Sequence, residues 1–229
     1  MKFLGLLLDK NLSFQSHIKH ISAKVLKGIY ALSQASKVLP SKDLKTLHSA
    51  LVLPYLNYGL LSWGGSLKSD SKYIILHRGQ RGAHLRHLTS VHKLYKRSVR
   101  LVAKAKSRSH HIPLCFKLRI LDLPDLYNIK ALSFFHDFFH GKLPPVFSNI
   151  FSLQFNRNIQ IIIKTKYRRT DTAASYIIHT VPDIWNSLDQ NLRILIFKSK
   201  STFINHCKDY VINLYANWTC HKNNCFVCT

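Results

Sequence analysis

Glutamate is absent from the 229 residues, and all ten acidic side chains are aspartates scattered singly along the chain. Two-metal polymerase and nuclease centres, and glycosidase sites, need carboxylates that converge on one point. The closest pair, Asp122 and Asp125, flanks Pro124, and we interpret the two residues as the start of a helix. The scarcity of acidic groups therefore argues against an enzyme of these classes.

Long apolar runs are also scarce. The stretch 46–67 contains no charged side chain and would be long enough to span a bilayer. It is interrupted by His48, Asn57 and the pair Gly64-Gly65, so we expect a buried hydrophobic element there. The N-terminal run of residues 3–8 stops at Asp9 and is too short for the core of a signal peptide.

Cysteines are few and unevenly placed. The chain has five, an odd number, and three of them lie in the last ten residues. A secreted domain held by disulfides has an even and more regular set. The sequence therefore predicts an intracellular protein of the nucleus or cytoplasm, not a secreted one.

Positive charge is abundant. Lys and Arg number 34, which gives a formal net charge of +24, while 46% of the residues are hydrophobic and can form a core. An excess of this size is usually neutralised by nucleic-acid phosphate or by anionic lipid. We expect a folded protein with one of these two partners.

Helical periodicity dominates the chain. It predicts a mainly α fold with a short N-terminal strand at 3–8 and an extended or irregular segment near 151–184. Ser13 is the expected N-cap of the first helix, and Pro40 and Ser41 separate it from the second. The expected helices cover residues 14–38, 41–54, 91–106, 124–139 and 198–215, with a loop or insertion at 64–90.

Several short motifs share an order with a known family. The first motif is Phe3-Leu4-Gly5, followed by Asp9, Leu12, Phe14 and His17-Ile18. The later motifs are, in chain order, Leu53-Pro54-Tyr55-Leu56-Asn57-Tyr58-Gly59 with Trp63-Gly64, Lys96–Val102, Leu118–Tyr127, Arg168-Arg169-Thr170, and Pro182 with Trp185-Asn186-Ser187-Leu188. In this order they resemble the region that follows the catalytic palm in reverse transcriptases of non-LTR retrotransposons of the jockey and CR1 type. The resemblance covers most of the chain.

The resemblance implies four regions. Residues 1–63 would form reverse-transcriptase thumb-like helices, 64–90 a loop or insertion, 91–145 a basic helical module, and 146–229 a post-thumb segment with a Cys-rich tail. The paired aspartates of the palm would lie upstream, and no Asp-Asp dipeptide occurs here. We therefore expect a non-catalytic remnant of an RNA-directed DNA polymerase, without a small-molecule substrate.

Basic residues recur on one predicted helix. Lys93, Arg97, Arg100 and Lys104 follow one another at steps of four, three and four, with Lys96 beside them. A basic face anchored by apolar residues can lie along phosphates without reading bases, although a merely solvated face remains the alternative. A second cluster, Lys166, Arg168 and Arg169, encloses Tyr167, which is either a base-stacking ring or core.

The C-terminal tail carries a possible zinc site. Cys225 and Cys228 have the spacing of a thiolate pair around zinc, and Cys220 is a third candidate ligand. A clear fourth ligand is missing, so free thiols are the preferred interpretation and no cofactor is expected otherwise.

The sequence thus predicts binding of RNA or DNA backbone with little sequence preference. The competing hypothesis is a membrane-associated or structural protein that uses the uncharged stretch 46–67.

Overall fold

The computed structural model describes residues 1–65, 67, 86–155, 161–165 and 176–220, and for residues 86 and 87 the backbone alone. These residues are mainly helical, which confirms the predicted fold class. They form two compact units. The first combines Met1–Trp63 with the described residues of 85–120 and of the C-terminus from Tyr215; the second is built mainly from Leu121–Leu214.

The first unit contains a hairpin, six α-helices and a short 3-10 helix (Tyr215–Asn217) among its described residues. The hairpin pairs β1 (Lys2–Phe3) with β2 (Leu6–Leu7) in antiparallel register. The helices are α1 (Gln15–Ala35), α2 (Ser41–Leu51), α3 (Leu53–Asn57), α4 (Leu60–Trp63), α5 (Arg86–Val102) and α6 (His111–Leu118). Helix α1 packs on α5, α2 and α3 through a buried stripe that includes Ile18, Val25 and Leu32.

Asp9, rather than the predicted Ser13, organises the start of α1. Phe14 occupies the N-cap position in a left-handed conformation (φ 56°), and no side chain caps it. Asp9 accepts hydrogen bonds from the backbone N–H of Ser13 at 2.7 Å and of Gln15 at 3.2 Å, and from the Ser13 hydroxyl at 2.8 Å. Desolvation would raise the pKa of Asp9, but these bonds together hold it below its ordinary value.

The uncharged stretch 46–67 does not form one helix. It is divided between the end of α2, α3 and α4, with Pro54 in the first turn of α3. Within the described ranges, we find no helix with the length and hydropathy required to cross a bilayer. Leu56, Leu60 and Trp63 are buried in the first unit, as expected for a hydrophobic core element.

The described residues of the second unit form three α-helices longer than ten residues, one shorter α-helix and a second hairpin. Its elements are α7 (Leu123–Phe139), β3 (Leu153–Phe155), β4 (Ile161–Ile163), α8 (Ile177–Ser187), α9 (Gln190–Ile194) and α10 (Lys200–Leu214), with β3 and β4 antiparallel. Asp122 caps α7 by accepting from the N–H of Leu123 at 2.9 Å, and Asp125 lies in its first turn. The interpretation of these aspartates as a helix start is confirmed.

Part of the segment predicted to be extended is helical. Residues 153–155 and 161–163 are strands, but α8 begins at Ile177 and contains Pro182. Ile177 and Ile178 are β-branched and Pro182 lacks a backbone N–H, so the local preferences oppose a helix here. Burial of Val181, Ile184 and Trp185 outweighs those local preferences.

The helices of the predicted basic module, 91–145, are distributed over both units. Helices α5 and α6 belong to the first and α7 to the second. The assignment of residues 1–63 as a thumb and of 146–229 as a post-thumb segment stays a prediction.

Candidate nucleic-acid interface

Helix α5 is anchored in the first unit by one apolar face. Leu88, Val91, Tyr95, Val99 and Val102 are all 0% exposed. They recur at steps of three and four, which places them on one side of the helix. The face contacts α1, α2 and α6. The exposed residues Lys93 and Arg97 lie on the opposite side of the helix.

The opposite side of α5 carries the predicted basic residues. Lys93 and Arg97 are exposed and lie one turn apart, and Lys96 beside them is half-buried. The 17 residues of α5 include no Asp. The helix itself therefore offers no carboxylate to neutralise these cations, and we call Lys93, Lys96 and Arg97 the basic face of α5.

Arg100 is on the same side but is committed to the fold. Its Nε–H donates to the carbonyl oxygen of Ser109 at 2.7 Å, and partial burial lowers the pKa of its guanidinium. The bond ties the end of α5 to the loop that leads into α6. Arg100 thus retains a structural role whether or not a ligand is present.

Lys104 lies beyond the helix, since α5 ends at Val102 and not at the predicted 106. Its backbone is left-handed (φ 51°), and its N–H donates to Leu101 O while the N–H of Ala105 donates to Arg100 O. These two bonds form a Schellman motif, which satisfies the last helical carbonyls. The Lys104 side chain is exposed next to the basic face, near the negative end of the helix dipole.

A buried polar pair lies in the core between α2 and α5. His48 and Ser98 are 0% exposed, and His48 Nε2 is 3.0 Å from Ser98 Oγ. The Ser98 hydroxyl donates to Tyr95 O at 2.7 Å, so Nε2–H of His48 is the donor to Ser98. Burial lowers the pKa of His48 to about 4, and the ring is neutral near pH 7. The pair fixes α2 against α5 and is closed to substrate.

The motifs near the N-terminus have a structural role. The turn between β1 and β2 is Leu4-Gly5, with positive φ at both residues, as a tight hairpin requires. The Tyr58 hydroxyl donates to Leu4 O, and a Cβ on Gly59 would come within 2.5 Å of Leu6 Cδ2. The Phe3-Leu4-Gly5 motif therefore packs directly on the motif that begins at Leu53.

The Trp185-Asn186 motif forms hydrogen bonds with the backbone of strand β4 in the second unit. Trp185 Nε1–H donates to Ile161 O at 2.9 Å. The Asn186 amide accepts from Ile163 N at 3.0 Å and donates to Ile163 O at 2.8 Å, as a neighbouring strand would. These bonds give the motif a structural role and do not indicate a catalytic or binding role.

Several predicted site residues lie outside the described part of the chain. Lys166, Arg168 and Arg169 are among them, as are Cys225 and Cys228. Cys220 is described and has a free, partly exposed thiol. The second basic cluster and the zinc site therefore stay predictions.

Comparison with known proteins relates part of the chain to a transposon enzyme. It is 38% identical over 77 residues to a probable RNA-directed DNA polymerase from transposon X-element of Drosophila melanogaster. The similarity covers 32% of this chain and 8% of that protein. No protein-family model and no solved structure matches. The chain is therefore partly similar to a reverse transcriptase.

We predicted from the missing Asp pair that the chain is non-catalytic. That prediction is wrong. The matched protein is named as a probable RNA-directed DNA polymerase, and the match covers only 8% of its length. A match of this extent gives no sign of lost catalytic residues. The absence of Asp-Asp from 229 residues does not separate this chain from an enzyme.

Proposed function

We propose that this chain holds the sugar-phosphate backbone of RNA or DNA on the basic face of α5, with little sequence preference. The observation that carries the proposal is the position of Lys93, Lys96 and Arg97 on the solvent side of a helix whose other side is fully buried. The partial similarity to an RNA-directed DNA polymerase supports a nucleic acid rather than a lipid as the partner. We also propose that the helices of residues 1–63 correspond to the thumb of a reverse transcriptase.

The chemistry of the face suits phosphate. Ammonium and guanidinium groups form charge-assisted hydrogen bonds with phosphate oxygens, and these contacts position a protein without reading sequence. Arg97 can bind two oxygens at once, whereas Lys93 and Lys96 act as point charges. A rigid helix holds the three groups at fixed spacing, so they can engage one strand together.

Salt dependence of binding tests the proposal. Fluorescence anisotropy with the full chain is expected to show similar affinities for single-stranded RNA and duplex DNA of unrelated sequences. On duplex DNA, the logarithm of the association constant should fall linearly with the logarithm of salt concentration, by about 0.9 per neutralised phosphate. An affinity that salt does not change, or a strong preference for one sequence, would contradict the proposal.

A further inference from the structure

The second unit contains a solvent-open groove between α7 and α10. Its volume is about 580 Å³, and most of that volume is open to solvent rather than enclosed. Its lining comes almost entirely from α10, and α7 contributes Ser133 at one edge. The residues of α10 are Lys200, Ser201, Ile204, Asn205 and Lys208. Two of these side chains carry a positive charge and three more are polar at their ends, but most of the surface that lines the groove is apolar. The residues of the groove belong to the second unit, whereas the basic face of α5 belongs to the first.

The lysines of the groove lie two turns apart. Residues 200 and 208 are eight positions apart on α10, which is about 12 Å along the axis, and they frame Ile204 and Asn205 between them. An anionic group can meet the ammonium groups while the rest of the ligand contacts the aliphatic side chain and the amide between them. Such a ligand needs an anionic group and a hydrogen-bonding body.

One groove lysine is partly neutralised. Lys200 Nζ is 2.5 Å from Asp137 Oδ2, and the two side chains are 42% and 22% exposed. The ion pair directs one N–H of the ammonium toward Asp137, and the group retains two further donors. Asp137 thus fixes Lys200 at the edge of the groove and also reduces its attraction for an anion.

We propose that this groove binds a phosphate-bearing small molecule through Lys200 and Lys208, with Ser133, Ser201 and Asn205 as hydrogen-bonding partners. Phosphate oxygens accept from ammonium and hydroxyl donors alike. Nothing in the sequence predicts this ligand, because Ser133 and the residues of α10 are far apart along the chain.

Calorimetric titration of the full chain tests this site, with ATP as the probe and no divalent cation. At about 0.15 M salt, where attraction to distant charges is screened, ATP is expected to bind saturably and adenosine is not. Replacing both groove lysines (Lys200→Gln with Lys208→Gln) should weaken ATP binding about tenfold or more, whereas Lys19→Gln with Lys27→Gln, at two exposed sites of α1, should change it less than twofold.

Two further variants separate recognition from folding. Asp137→Asn should tighten ATP binding, because it releases Lys200 from its ion pair; loss of structure would weaken it instead. Ser133→Phe should weaken ATP by filling the groove without changing net charge. Circular dichroism confirms that each variant is folded. Equal losses in the groove and control lysine pairs, or binding of adenosine as tight as ATP, would overturn the proposal.

The site is independent of the proposed nucleic-acid interface. Substitution of the basic face of α5 should leave ATP binding unchanged, so that one proposal can fail without the other. If the groove variants weaken a single-stranded oligonucleotide but not ATP, the groove holds a strand backbone and the small-molecule proposal is wrong.

Discussion

A variant with Lys93, Lys96, Arg97 and Lys104 all replaced by Gln is expected to bind duplex DNA about a hundredfold more weakly. Each exposed ion pair with a phosphate contributes up to about 1 kcal/mol, and four cations are removed together. The salt slope should become shallower by up to about 0.9 for each phosphate that the variant no longer neutralises. Arg100 is left unchanged because its bond to Ser109 O holds the end of α5. Anisotropy at several salt concentrations measures both quantities.

The matched control removes the same number of charges from other exposed positions, Lys19, Lys27, Lys117 and Lys142. Both variants lose the same long-range attraction, since that depends on total charge. The control should keep the wild-type slope, because it leaves the basic face intact. Equal slopes in the two variants would mean that this face is only a solvated part of a basic protein.

Trp185→Ala is expected to give the largest loss of stability, about 3 to 5 kcal/mol in the free energy of unfolding. The side chain is 0% exposed, and its ring centroid is 4.7 Å from that of Phe135. Truncation leaves a cavity and also removes the donor to Ile161 O, so the strand β4 loses one of its anchors. Urea unfolding monitored by circular dichroism measures the change.

Phe155→Ala is the control for this substitution. Phe155 belongs to the same unit but is 65% exposed, and its loss should change stability by no more than about 0.5 kcal/mol. Similar losses at Trp185 and Phe155 would show that Trp185 is not a centre of the core.

The parts that the sequence predicted best are the long periodic helices. Apolar residues from Ile18 to Leu32 recur at helical spacing, and α1 follows that pattern because its own periodicity agrees with its burial. Helix α6 was missed because its eight residues are too few for a periodic signal. Helix α8 was missed because β-branched residues and Pro182 oppose it locally, while its burial depends on distant parts of the chain.

The candidate interface could be predicted only in part. The spacing of Lys93 and Arg97 placed them correctly on one solvent-facing side. The hydrogen bond of Arg100 to Ser109 O and the turn at Lys104 depend on where the chain changes direction after α5. Helical periodicity does not indicate that position. The pair of His48 and Ser98 joins residues 50 positions apart, and no local pattern reveals it.

Lysine footprinting of the wild-type chain shows whether a phosphate backbone lies on the basic face of α5. Acetylation of each lysine is followed by mass spectrometry with and without duplex DNA. If a phosphate backbone lies on the basic face of α5, Lys93 and Lys96 should become protected while Lys19 and Lys142 stay reactive. Unchanged reactivity of Lys93 and Lys96 in the presence of saturating DNA, or protection of all four lysines to the same extent, would contradict binding of the backbone at this face.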